Sequence, residues 1–348
     1  MARSRASATM KDVARAAGVS LKTVSNVVNG YPYLSPATKA RVEEAISSLG
    51  YRVNVTARNL RQGSTGLIKL VVPELRIPYF GELADSVVEA AGRRGLTVLL
   101  QQHRYDREAE LGVLRSDGGS QVDGVLFSPV HVGQADAEAF RVDFPLVILG
   151  ESIFGAPCDH VSMRNIEGGR AQVEHLLGLG RRRIAIIGLS DVPDVSSSRL
   201  RHKGAVAALE AAGVALDPAL VAGPGPWVRP VGARLMADLL DSGARPDGVV
   251  CYNDALALGA VHELSRRGVR VPDDIAVIGF DNVEETNYSW PPISTIDPGR
   301  ETIAAAAVAM LVERIGLEQS FDPSTGPREL LVDFRLVARQ STLGATGG

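Results

Sequence analysis

Residues 18–30 read GVSLKTVSNVVNG. A helix opening at Ser20 places Val24, Val27 and Val28 at i, i+3 and i+4, on one face. Leu21, Lys22, Ser25, Asn26 and Asn29 then share the other. That second face carries short hydrogen-bonding groups and a single lysine, where a purely structural helix usually loads Glu, Lys or Arg. Short polar groups approach phosphates and base edges closely. An ordinary solvated face is the competing reading, and the flanking segments decide between the two.

Upstream, Thr9 is placed to cap MKDVARAA, with Asp12 three residues on as a capping-box acid and Gly18 as the stop. Downstream, Ser35-Pro36 caps and starts PATKARVEEAISSL, which ends at Gly50. Three short helices with a tight turn between the first two make a helix-turn-helix pattern, in which the valine face packs on Val13, Ala14 and Ala17. Charge agrees with this reading. Residues 1–62 hold ten Lys/Arg against three Asp/Glu, a net +7, while the whole chain of 348 residues is at −3. A small basic head on an acidic body expects a polyanion for the head alone.

The run TMKDVARAAGVSLKTVSNVVNGYPYLSPATKARVEEAISSLGYRVN resembles the DNA-binding head of the lactose-repressor (LacI/GalR) family of bacterial transcription regulators. The resemblance implies that Leu21, Lys22 and Asn26 read bases and that Ser20, Thr23, Ser25 and Asn29 contact phosphates. The chain departs from the family at Asn26, where many members have Arg. The following NVTARNLRQG resembles the family's hinge helix, in which Leu60 wedges into the minor groove and Ala57 allows close approach of the partner hinge. Val53 stands where Pro is usual.

From Leu67 onward, apolar runs (LIKLVV, LTVLLQ, VDGVLFS, PLVILG, RIAIIGL, DGVVCY, DIAVIGF) alternate with helical segments. Runs of this kind read as parallel strands covered on both faces, in a doubly wound α/β arrangement repeated twice. The expected fold is therefore a small all-α helix-turn-helix head plus a two-lobed α/β body of doubly wound parallel sheets. By resemblance that body is the periplasmic-binding-protein-like regulatory domain. The expected organisation is a head at 1–52, a hinge at 53–63, a body at 64–340 and a flexible tail at 341–348. Within the body, the first lobe takes 64–162 plus 292–324 and the second takes 163–291 plus 325–340.

A ligand cleft is expected between the lobes, at the carboxyl ends of the strands. Asn253-Asp254 follow one strand, Asp281 follows another, and Arg201 and Glu167 sit near helix starts. The resemblance implies that Glu167, Arg201, Asn253 and Asp281 contact an effector. It also implies apolar contacts at Phe80 and Trp227, whose flat faces suit a pyranose; Arg300 is a further candidate. Carboxylates and a guanidinium offer paired hydrogen bonds to vicinal hydroxyls, which points to a sugar or sugar derivative. Other readings of the same residues are a helix cap at Asp254, an Arg201–Asp281 ion pair bridging the lobes, and Phe80 or Tyr79 as ordinary core or dimer residues. Arg164, were it in the cleft, would favour an anionic ligand.

Several classes fall away. GLGRRR lacks a third glycine, HELSR lacks a second histidine, and GLSDV is not a nucleophile elbow. The six histidines show no metal spacing, and Cys158 and Cys251 form no C-x-x-C pair, so no metal or other cofactor is expected. The alanine-rich apolar run Ile303–Val312 is too short to cross a bilayer, and no signal peptide is read, so a cytoplasmic protein without a membrane partner is expected. The tail RQSTLGATGG has no leucine heptad, so a homodimer on double-stranded operator DNA is expected. The function expected is a ligand-responsive, DNA-binding transcription regulator acting as a repressor on a pseudo-palindromic operator. The alternative is a sugar-binding protein with no DNA role.

Overall fold

The computed structural model describes residues 8–28, 31, 33–51, 64–115, 122–190, 196–317 and 326–344. The chain divides into two units, residues 1–65 and 66–348. Asn29, Ala57, Leu60 and the whole 53–63 hinge segment lie outside the described residues.

The first unit contains α1 (Met10–Ala17), α2 (Leu21–Val28) and α3 (Pro36–Leu49). The capping box at Thr9 is formed: the Asp12 amide donates to Thr9 Oγ1 at 3.3 Å, and the Thr9 amide donates to the Asp12 carboxylate at 3.0 Å. Gly18 ends α1 at φ 61° and Gly50 ends α3 at φ 59°, a region that favours glycine. Ser35 caps α3 by accepting from the Thr38 amide at 3.2 Å. Val13, Val24 and Val42 meet with no exposed surface, joined by Ala17 and Ala45 and flanked by Ala14, Val27 and Val28. Each fully buried valine contributes roughly 1.5–3 kcal/mol.

In the second unit the first lobe runs through β1 (Leu67–Val72), α4 (Pro78–Gly92), β2 (Thr97–Gln102), α5 (Arg107–Arg115), β3 (Gly124–Phe127), β4 (Leu146–Leu149) and β5 (Asp159–Met163). The second lobe follows with α6 (Asn165–Gly178), β6 (Ile184–Ile187), α7 (Ser197–Ala211), β7 (Val221–Ala222), α8 (Arg229–Asp241), β8 (Gly248–Cys251), α9 (Asp254–Arg266), β9 (Ala276–Ile278) and α10 (Glu285–Tyr288). The chain then continues through β10 (Thr295–Asp297), α11 (Arg300–Leu317), β11 (Glu329–Val332), β12 (Arg335–Val337) and α12 (Gln340–Leu343).

The first sheet has the order β11-β5-β4-β3-β1-β2 and the second β7-β6-β8-β9, with every neighbour parallel. Strands such as GVLF and LVIL are buried at every position, because helices cover both faces. Each sheet accordingly has one apolar cluster on each side.

Two expected boundaries are corrected. Residues 325–340 do not all belong to the second lobe, since β11 pairs with β5 (Leu331 beside Ser162) and closes the edge of the first sheet. The anchor is Asp159, wholly buried in β5, which accepts from Arg314 of α11 at 2.6 Å and from Arg328 at 2.6 Å. The chain then returns to the second lobe through β12, antiparallel to β10. Residues 341–344 are not a free tail. Ser341 Oγ donates to the Val277 carbonyl at 2.6 Å and accepts from the Ser294 amide at 2.8 Å, which fixes α12 against the second sheet.

Candidate DNA-binding face and effector cavity

In the head, Ser20 caps α2 by accepting from the Thr23 amide at 3.1 Å, and its hydroxyl meets Thr23 Oγ1 at 2.9 Å. The two hydroxyls share one proton between them, so the other remains to donate elsewhere. Val24 faces the core, while Leu21 and Lys22 are exposed and Ser25 and Asn26 half-buried. The division of α2 into a valine face and a short polar face is thus present. The Tyr31 amide donates to the Asn26 carbonyl of α2 at 2.9 Å.

In the body, a cavity of about 390 Å³ lies between the lobes at the strand ends. Phe80, Arg201, Trp227, Asn253 and Asp281 line it. Arg201, on α7 and only 2% exposed, donates through Nε to Asn165 Oδ1 at 2.7 Å and through Nη1 to the Tyr252 carbonyl. Its guanidinium carbon lies 3.5 Å from the Phe280 ring centre and 5.4 Å from that of Trp227. Asp281 lies 3.8 Å from Arg201 Nη2 and holds a left-handed backbone, φ 119°, a conformation that strains any residue with a side chain. Burial pushes the Asp281 carboxyl up to about 7, against the opposing pull of Arg201 and Arg300. Both Arg201 and Asp281 belong to the second lobe, so their contact does not bridge the lobes.

Asn253, and not Asp254, caps α9: its Oδ1 accepts from the Leu256 amide at 2.9 Å, while its Nδ2 donates to the Trp227 carbonyl at 3.2 Å. Asp254 is buried one step behind, accepting from the Val283 amide at 3.0 Å and Thr295 Oγ1 at 2.7 Å. Trp227 donates its indole N–H to the Gly188 carbonyl at 3.0 Å, which presents the ring as a wall. Phe80 packs edge-on against Tyr79, with centroids 5.2 Å apart.

Two expected ligand contacts are not brought to the cavity. Glu167 is half-exposed and pairs at 3.7 Å with Arg164, which itself bonds Asp333 at 2.8 Å. The inward residue of that helical turn is Asn165, the partner of Arg201. Arg300 lies behind Asp281: it pairs with Glu82 at 2.6 Å and donates to the Asp281 carbonyl at 3.3 Å. Arg164, engaged outside the cavity, gives no reason to expect an anionic ligand.

The cavity also has residues that the sequence reading missed. Glu151, 4% exposed, accepts from Ser197 Oγ of the opposite lobe at 2.6 Å and from the Met163 amide at 3.3 Å. Ser128, Ser152 and Ser162 line the same side. Glu151-Ser152 follow PLVILG directly, so the strand-end rule that picked out Asn253 and Asp281 could have found them. Buried Glu110 accepts from the amides of Val130, His131 and Val132 at 3.0, 2.9 and 2.7 Å, holding the wall loop in place. Among the described residues, no group of three His, Cys, Asp or Glu could hold a metal ion, and no helix is long and apolar enough to cross a membrane.

Residues 9–54 match the family model "Bacterial regulatory proteins, lacI family", and residues 173–342 match a periplasmic binding protein-like domain. The HTH-type transcriptional repressor PurR of Histophilus somni is 31% identical over 310 residues, covering 88% of this chain and 92% of that protein. A lac repressor dimer bound to operator and the anti-inducer ONPF is similar with TM-score 0.83 at 27% identity, over 97% of this chain and all of the other. A complex of the regulator CelR with cellobiose is similar with TM-score 0.70 at 31% identity, over 96% and 99%. With a capped helix-turn-helix head and a two-lobed body that holds a cavity between its lobes, the chain belongs to the lacI family of bacterial regulatory proteins, as a DNA-binding transcription regulator and not an enzyme.

Proposed function

We propose that the protein is a cytoplasmic homodimeric repressor that reads a pseudo-palindromic operator with two copies of α2. We further propose that it answers to a sugar or sugar-derived effector held between its lobes. The observation that carries the effector reading is the interlobe cavity, where the Phe80 and Trp227 rings stand beside Arg201, Asp281 and a set of serine hydroxyls. Rings suit the C–H face of a sugar, and the polar groups suit its hydroxyls. On the DNA side, Leu21, Lys22 and Asn26 are the proposed base readers, with Ser20, Thr23, Ser25 and Asn29 on phosphates and Ala57 and Leu60 in the hinge. Effector binding changes the pose of one lobe against the other across the Ser197–Glu151 contact, and that pose governs whether the two hinges pair on DNA.

Dimerisation is supported by apolar surface that a monomer would leave in water. Tyr288 and Trp290 are 81% and 85% exposed on the second lobe, and Val88, Leu99 and Leu100 are exposed on the first, the latter two on the edge strand β2. Light scattering of the full chain checks this: two copies are expected, and a monomer at micromolar concentration refutes it. The functional test is a gel shift with DNA selected from a random pool, with and without cellobiose and other neutral sugars. Binding is expected to weaken steeply with salt, as counterion release requires. Salt-independent binding, or no selected motif, refutes the operator reading.

A further inference from the structure

The turn that carries Asp281 to the cavity is held from both lobes. Asp281 and Asn282 take left-handed backbones in succession, φ 119° and 52°, so the turn is strained and needs support. The second lobe supplies part of it. Asp254 accepts from the Val283 amide at 3.0 Å, Thr295 Oγ1 accepts from the Asn282 amide at 3.3 Å, and Arg339 donates to Asn282 Oδ1 at 2.7 Å.

The rest comes from the first lobe. Glu82, on α4, accepts from the Glu284 amide at 2.8 Å with one carboxylate oxygen and pairs with Arg300 at 2.6 Å through the other. Arg300 opens α11, whose Ile303, Ala304 and Ala307 are buried in the core of the first lobe. Its Nη1 donates to the Asp281 carbonyl at 3.3 Å. Glu82 thus holds both ends of the turn, one directly and one through Arg300. Apolar packing follows the same path, since Phe280 and Val283 share a buried cluster with Leu83 of α4 and Ile303 of α11.

This arrangement makes Arg300 common to a first-lobe carboxylate and to Asp281. Burial raises the Asp281 carboxyl, Arg201 and Arg300 pull it down, and Glu151 and Glu82 push it up again, so a change of charge at Asp281 is felt at Arg300 and Glu82. Arg300 Nε is buried without a hydrogen-bond partner among the described residues, so its guanidinium is not locked by a full set of bonds.

We infer that Glu82, acting with Arg300, is the positioning residue through which the state of the cavity at Asp281 sets the pose of the first lobe against the second. This rests on the regulator reading above and deepens it.

The test needs no effector. Asp281→Asn changes the cavity by one charge, and asparagine tolerates the left-handed backbone. Full-length parent, Asp281→Asn, Glu82→Ala and the double variant are compared by gel shift, at one salt concentration, on DNA that the parent selects from a random pool. Asp281→Asn alone is expected to change the DNA Kd by at least about 5-fold. In the Glu82→Ala background the same substitution is expected to change it by less than about 2-fold, because the path between the lobes is cut. Amide exchange at Glu284 should be faster in Glu82→Ala, which shows the grip released in a folded protein. Glu82→Gln, which keeps an acceptor for the Glu284 amide and loses the charge on Arg300, is the second variant and should give an intermediate shift. A merely structural Glu82 would lower the melting temperature and leave the effect of Asp281→Asn on DNA affinity as large as in the parent. Equal effects in the two backgrounds, or an Asp281→Asn protein that binds DNA as the parent does, would overturn the inference. Failure of the broader reading looks different: the parent itself then selects no motif.

Discussion

Gly204→Ala should dismantle the arginine site without touching the cavity directly. Gly204 lies on α7, three residues after Arg201, and faces α6. A β-carbon there would lie 1.9 Å from the Ile166 carbonyl oxygen and 2.8 Å from the Arg170 nitrogen, both backbone atoms that cannot rotate away. The contact is reciprocal, since a β-carbon on Gly169 of α6 would lie 2.3 Å from the Arg201 carbonyl oxygen. Reaching even 3.0 Å at the first contact requires the helices to part by about 1.1 Å. The Arg201–Asn165 hydrogen bond crosses the same interface at 2.7 Å, so parting of that size stretches it to about 3.8 Å, beyond bonding range. Overpacking costs roughly 1–3 kcal/mol, and losing a hydrogen bond to a charged group roughly 1.5–3 kcal/mol. The sum is about 2.5–6 kcal/mol, which corresponds to a melting temperature lower by at least roughly 5 °C. Thermal melting of the full chain measures it, with Gly178→Ala as control. Gly178 ends the same α6 with no atom within 4 Å of a β-carbon, so alanine there should gain roughly 0.5–1 kcal/mol. If Gly204→Ala melts within about 1 °C of the parent, the close helix approach does not set the position of Arg201, and the reasoning fails.

Three further outcomes follow from other parts of the molecule. Asn26→Arg should move one half-site position from adenine toward guanine, by about 1–3 kcal/mol of discrimination, in selection from random DNA; identical motifs for both proteins would show that Asn26 reads no base. Burial raises the Asp281 carboxyl to about 7, so the folded state holds a proton that the unfolded state has released, and stability falls as pH rises from about 4 to 7. Asp281→Asn should flatten the fall of melting temperature across that window, and an unchanged slope would count against it. Asp159→Asn, which weakens the buried carboxylate shared by Arg314 and Arg328, should destabilise by about 3 kcal/mol and release β11 from the first sheet, read as faster amide exchange at Leu330–Val332.

The sequence by itself determined the head and the class of the body. Helix ends are local chemistry: Thr9 with Asp12, Gly18, Ser35-Pro36 and Gly50 act within four residues, and each is found doing what its type dictates. Long Val/Ile/Leu runs likewise announce parallel strands, because burial on both faces leaves no polar alternation. What only the tertiary structure decided is where distant segments meet. DHVSM and ELLV do not read as strands, yet they pair, because a buried aspartate from one is neutralised by arginines more than 150 residues away. In the cavity, chain position after a strand was enough to find Asn253 and Asp281. It was not enough to separate Glu167 from Asn165, two residues apart on the same turn, one facing solvent and one facing Arg201. That choice belongs to the approach of α7 to α6, set by glycines whose role appears only when the two backbones are side by side.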